Sequence, residues 1–91
     1  MTKLTDKEVL DRAKKLKGWT IEKSQLHKIY SFKDFREAMG FVTRVALIAE
    51  PADHHPDIDI RYNKVTLNLS THSAGGLTEK DFNLASEIDA V

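Results

Sequence analysis

The chain has 91 residues, fourteen of them Lys or Arg, fourteen Asp or Glu, and no cysteine. That balance gives no general attraction to nucleic acid or an anionic membrane, and the absence of thiols excludes a disulfide framework, a thiolate metal site and a cysteine nucleophile. One domain, 1–91, is expected; so short a domain buries only about two-thirds of its unfolded surface, which makes self-association a natural supplement.

Met1-Thr2-Lys3-Leu4-Thr5-Asp6 has no apolar segment of the signal-peptide kind, and no later apolar run approaches the roughly 20 residues that span a bilayer. A cytoplasmic location is expected. Thr5-Asp6-Lys7-Glu8 reads as a capping box opening a helix, with Val9, Leu10, Ala13 and Leu16 as its apolar stripe and Gly18 as its end. Trp19–Glu22 and Leu26–Ser31 follow as a hairpin turning at Lys23-Ser24, with Trp19 read as packing. The strongest helical pattern runs from Phe32 to Glu50. Phe35, Met39, Val42, Val45, Ala46 and Ala49 recur at helical spacing, and Phe32, Phe41, Leu47 and Ile48 widen the apolar surface beyond what one sheet covers. That width points to a subunit contact. Pro51 is expected to end the helix.

Ile58, Ile60 and Tyr62 then alternate with polar residues, as do Val65, Leu67 and Leu69, giving a second hairpin with Asn63-Lys64 as its turn. Thr78-Glu79-Lys80-Asp81 is a second capping box, before a helix that turns Phe82, Leu84, Ala85 and Ile88 inward. The order α-β-β-α-β-β-α predicts an α+β fold, a four-stranded antiparallel sheet with helices on one face.

Three of the four histidines, His54, His55 and His72, fall at the ends of the second hairpin. Imidazole both gives and takes protons near neutral pH, so such a group points to proton transfer or to a metal. With Asn63-Lys64 as the turn, Tyr62 faces Val65, Ile60 faces Leu67, Ile58 faces Leu69, and the ladder continues to Pro56 opposite Thr71 and His55 opposite His72. Pro56 cannot donate to that ladder, which leaves His54 in a loop beside the same locus. Asp81 follows the Gly-rich loop after His72. Three histidines and a water match the ligand count of catalytic zinc, but neighbouring residues in an extended chain point apart, which makes joint ligation by His54 and His55 awkward. His27 is given no role.

Glu50, His54-His55-Pro56, Tyr62, His72 and Asp81 stand at the spacings of a known signature. So do Gly18-Trp19, Phe32-Lys33-Asp34-Phe35, Gly40-Phe41-Val42-Thr43-Arg44-Val45-Ala46 and Leu69-Ser70-Thr71-His72. Through these the whole chain resembles the pterin-4a-carbinolamine dehydratases, also known as dimerisation cofactors of a homeodomain transcription factor. The resemblance implies dehydration of a 4a-hydroxytetrahydropterin to quinonoid dihydropterin, recycling the cofactor of aromatic amino-acid hydroxylases. It implies no metal and no organic cofactor, and a pterin as the small-molecule partner. His54 and His72 become the acid/base pair and His55 the orienting residue, whereas the ladder alone selects His55 and His72. Pro56, Thr71, Ser73 and Ala74 would wall the ring-binding cleft, with Asp81, Asp53 and Glu50 in support of the histidines. Expected partners are copies of the chain, as a homodimer or homotetramer, and an aromatic amino-acid hydroxylase; neither nucleic acid nor membrane is expected. The alternative function is a binding module whose Phe32–Glu50 helix docks a partner helix, as in the animal coactivators of the family.

Overall fold

The computed structural model describes residues 2–91. Its elements follow the expected order: α1 (Asp6–Ala13), β1 (Thr20–Glu22), β2 (Gln25–Ser31), α2 (Phe35–Ala52), β3 (Asp57–Arg61), β4 (Lys64–Leu69), a 3-10 turn over His72–Ala74, and α3 (Glu79–Asp89). The four strands form one antiparallel sheet in the order β1-β2-β4-β3. Leu26, Val65, Leu67 and Leu69 turn one face of it toward Ala38, Phe41, Val45 and Ala49 of α2 and Phe82, Ala85 and Ile88 of α3, all buried. Val9, Ala13 and Leu16 pack against the same core. The opposite face is polar, with Thr20, His27, Asn68 and Asp57 side by side across the strands. Among the described residues no helix is long and apolar enough to cross a membrane.

Four local expectations need correction. The first helix ends at Ala13, not Gly18, because Lys15 and Leu16 donate to the Arg12 and Ala13 carbonyls, tightening the turn that delivers Leu16 to the core; Leu10 stays exposed. The second helix starts at Phe35, where Asp34 caps it by accepting the Glu37 N–H at 3.0 Å. Pro51 does not end that helix but sits in its last turn. Asp53, at φ +51°, closes the end in a Schellman arrangement: its N–H reaches the Glu50 carbonyl at 3.0 Å, and the His54 N–H reaches Ala49 at 3.3 Å. The only backbone bond Pro51 forfeits is to Leu47, whose residue lies on the exposed face.

The fourth correction bears on the site. Ile60 faces Val65 and Ile58 faces Leu67, two residues out of the expected register, because the turn is Tyr62-Asn63 rather than Asn63-Lys64. Two contacts fix it. Lys64 is committed to β4 by pairing with Ser31, and Asn63 is clamped to Phe32, donating through Nδ2 to its carbonyl at 2.9 Å while its own carbonyl takes the Phe32 N–H at 2.8 Å. A two-residue shift preserves which strand side chains share a face, but it takes Tyr62, expected opposite Val65, out of the ladder and into the turn, where it is exposed. It removes His55 from its place opposite His72, and pairing stops at Asp57 with Asn68.

Candidate active site

The Schellman end of α2 turns the chain so that His54 points under α3. There its Nε2 lies 2.5 Å from Oδ1 of Asp81, a fully buried carboxylate. The other oxygen, Oδ2, accepts the Thr71 hydroxyl at 2.9 Å and the Thr78 N–H at 2.9 Å. Thr71 spends its proton on Asp81, so the Thr78 hydroxyl, 2.8 Å away, donates to Thr71. The carboxylate is otherwise surrounded by donors, so Nε2 is the nitrogen of His54 that donates to it, which in the neutral ring leaves the lone pair on Nδ1. Nδ1 has no protein partner among the described residues and is not a buried orphan, so it keeps some access to solvent.

His72 reaches the same place from a knotted loop. Thr71 and Gly76 exchange backbone hydrogen bonds at 2.9 and 3.4 Å, and the Gly75 N–H reaches the Thr71 and His72 carbonyls, both at 3.1 Å. Gly75 closes this loop at φ +75°, a conformation that glycine adopts without strain. The His72 side chain leaves the loop exposed, with no protein hydrogen bond among the described residues. His55 stands further out, its Nε2 2.9 Å from Oε1 of Glu50, with both side chains largely in solvent.

A cleft of about 370 Å³ joins these residues, lined by Asp53, His54, His55, Ser70, Thr71, His72, Ser73 and Lys80. The sequence-predicted set is therefore largely brought together. Glu50 touches the cleft only through His55, and Asp81 stands behind His54. Pro56 and Ala74, expected as walls, lie outside the lining. Ser70 and Lys80 were not anticipated. Lys80 carried a signal, being a cation in the first turn of a helix, where the dipole favours anions. For the zinc alternative, no group of three or more His, Asp or Glu side chains among the described residues is placed so that it could hold a metal ion.

Fold and site define a small two-layer α+β protein with an imidazole-lined cleft at one end of its antiparallel sheet. The family described as pterin 4 alpha carbinolamine dehydratase matches residues 2–91, and the chain belongs to it. A protein of Roseiflexus sp. (strain RS-1), named "Putative pterin-4-alpha-carbinolamine dehydratase", is 51% identical over 90 residues, covering 99% of this chain and 97% of that one. One of the same name from Nostoc sp. (strain PCC 7120) is 52% identical over 88 residues, covering 97% and 95%. The crystal structure of a transcriptional coactivator/pterin dehydratase from Brucella melitensis superimposes with a TM-score of 0.94 at 37% identity, over 98% of this chain and 97% of that one. A pterin dehydratase-like protein described as a RuBisCO assembly factor in the alpha-carboxysome shares the fold alone, with a TM-score of 0.64 at 22% identity, over 79% of this chain and 83% of that one.

Proposed function

We propose that this protein is a hydro-lyase that dehydrates 4a-hydroxytetrahydropterin to quinonoid dihydropterin by histidine acid/base catalysis, returning the cofactor of an aromatic amino-acid hydroxylase to its cycle. The observation that carries the reading is the solvent-accessible Nδ1 of His54, its Nε2 bonded to buried Asp81, on a ring that lines the same cleft as the unpartnered His72. The reaction removes hydroxide from C4a and a proton from N5. Hydroxide leaves poorly, so His72 as imidazolium protonates it while the C–O bond breaks. His54 accepts the N5 proton on Nδ1, and solvent returns that proton to His72, so the net product is water. His55, held by Glu50, orients the ring at the rim. Each proton-transfer step of this kind contributes typically about 10²–10⁴-fold.

Stopped-flow decay of a 4a-carbinolamine tests the reading. Substoichiometric protein is expected to accelerate it, and His72→Ala to lose about 10²–10⁴-fold in turnover while its urea midpoint stays near wild type, because that side chain is exposed. A decay rate indifferent to the protein sinks the proposal.

One observation favours a second role beside the first. Phe35, Met39 and Leu47 are 51%, 37% and 69% exposed along one helix. We read that face of α2 as the contact of a homodimer or homotetramer, or the seat of a partner helix in a coactivator-like protein. Sedimentation at micromolar concentration is expected to show an assembly larger than a monomer.

A further inference from the structure

The end of β4 has a neighbour on each side. In the order β1-β2-β4-β3, one flank is the approach to β3 that carries His54 and His55, and the other is the start of β2 with the Lys23-Ser24 turn. The His72 turn therefore stands between two hollows. On the β3 side is the histidine cleft. On the β2 side is a groove of about 260 Å³ walled by Lys23, Ser24 and Gln25, and it shares Ser70, Thr71 and His72 with that cleft.

Lys23 and Ser24 hold φ of +51° and +62°. Two-residue turns of that kind favour Asn-Gly, so a lysine and a serine here are held against local preference. Lys23 is exposed and has no ion-pair partner among the described residues, since the adjacent Glu22 turns instead to Thr20 and His27. A cation without a counter-charge thus borders a groove that opens directly onto His72.

The chemistry of the substrate supplies the link. In a pterin C6 is bonded to N5, so a C6 substituent leaves the ring beside the atoms His54 and His72 act upon. Resting on the pterin reading above, we infer that the substrate is shared between the two hollows. The bicycle occupies the histidine cleft, and the C6 substituent passes His72 into the groove, where Lys23 selects a tail that ends in an anion. Ser24 and Gln25 offer hydrogen bonds along the way. Lys23 is a specificity residue and takes no part in the proton transfers.

Equilibrium binding of three stable dihydropterins tests this: 7,8-dihydroneopterin, its phosphate ester, and 6-methyl-7,8-dihydropterin, each against wild type, Lys23→Gln and Lys23→Glu. Wild type is expected to bind the phosphate ester about tenfold tighter than the parent, the scale of one charge-assisted contact. Lys23→Gln should erase that preference and Lys23→Glu reverse it, while the 6-methyl compound binds all three proteins alike. A preference that survives Lys23→Gln, or none in wild type, overturns the subsite. Failure of the 6-methyl compound to bind wild type instead brings down the pterin reading, and the subsite with it.

Discussion

Because Oδ1 of Asp81 is taken by His54 and Oδ2 by Thr71 and the Thr78 N–H, one carboxylate both caps α3 and orients an imidazole. An amide at this position has a single acceptor oxygen, and its NH2 must face a donor in a site with no water access. Asp81→Asn should therefore cost about 1–3 kcal/mol of stability and lower turnover by about 10–100-fold through the misoriented His54. Thr71→Val separates the two effects, since it removes a donor from Oδ2 and leaves the His54 contact in place. A comparable shift in the urea midpoint with a much smaller loss of turnover is expected for Thr71→Val. If Asp81→Asn unfolds more easily yet turns over normally, the carboxylate is only a cap. In the sequence Asp81 is legible as a capping residue, which accounts for Oδ2. Its second duty spans 27 residues to His54 and depends on where the Schellman turn aims that ring, which no local pattern states.

At the scale of elements, alternation and capping carried most of the fold, and turn placement was where they failed. Alternation in β3 and β4 shows which side chains face the core but is blind to a shift of two residues. The clamp of Asn63 on Phe32 decides the register, and that contact is tertiary. The expected opposition of His55 and His72 failed with it, and the partnership of His54 with Asp81 took its place. Pro51 misled for a related reason: a proline near a helix end forfeits one bond, and αL Asp53 can still close the helix beyond it. The loop that delivers His72 is legible through Gly75-Gly76, and it gives a prediction. A Cβ at Gly75 would meet nothing within 4 Å, so Gly75→Ala is penalised by backbone conformation alone, at φ +75°. The expected cost is about 1–2 kcal/mol in urea denaturation. A destabilisation well above that range would mean the loop reorganises, and the His72 contribution to turnover should then fall with it.

At the scale of the molecule, two features stand apart from the cleft. Leu47 is 69% exposed on α2 and is absent from the buried core, so Leu47→Glu leaves the fold of a single copy intact. With this face as the proposed subunit contact, the variant should sediment as a monomer where the wild type sediments as a larger species; equal coefficients for the two proteins would overturn that assignment. The other feature joins the C-terminal end of α3 to the sheet. Asp89 accepts Trp19 Nε1 at 2.9 Å, Lys28 Nζ at 2.9 Å and the Tyr30 hydroxyl at 2.6 Å. Burial pushes the Asp89 carboxyl up, but hydrogen bonds from Tyr30, Lys28 and Trp19 together outweigh it and hold the group below its ordinary value of 3.8. For Tyr30 burial comes first and the bond to Asp89 second, and both push its hydroxyl above the ordinary value of 10.0. A carboxyl depressed by folding stabilises the native state above its unfolded pKa, and that contribution is lost as pH falls through the folded value. A hydroxyl raised by folding contributes below its unfolded pKa and loses that contribution as pH rises beyond it. The network therefore supports the fold across the neutral range and weakens at both ends, below about pH 4 and above about pH 10. Asp89→Asn should lower the urea midpoint near neutrality by the equivalent of about 1–2 kcal/mol, a figure discounted for partial exposure, and flatten the acid-side decline. A decline equally steep in the variant would assign the acid sensitivity to other carboxylates and leave Asp89 as a packing contact.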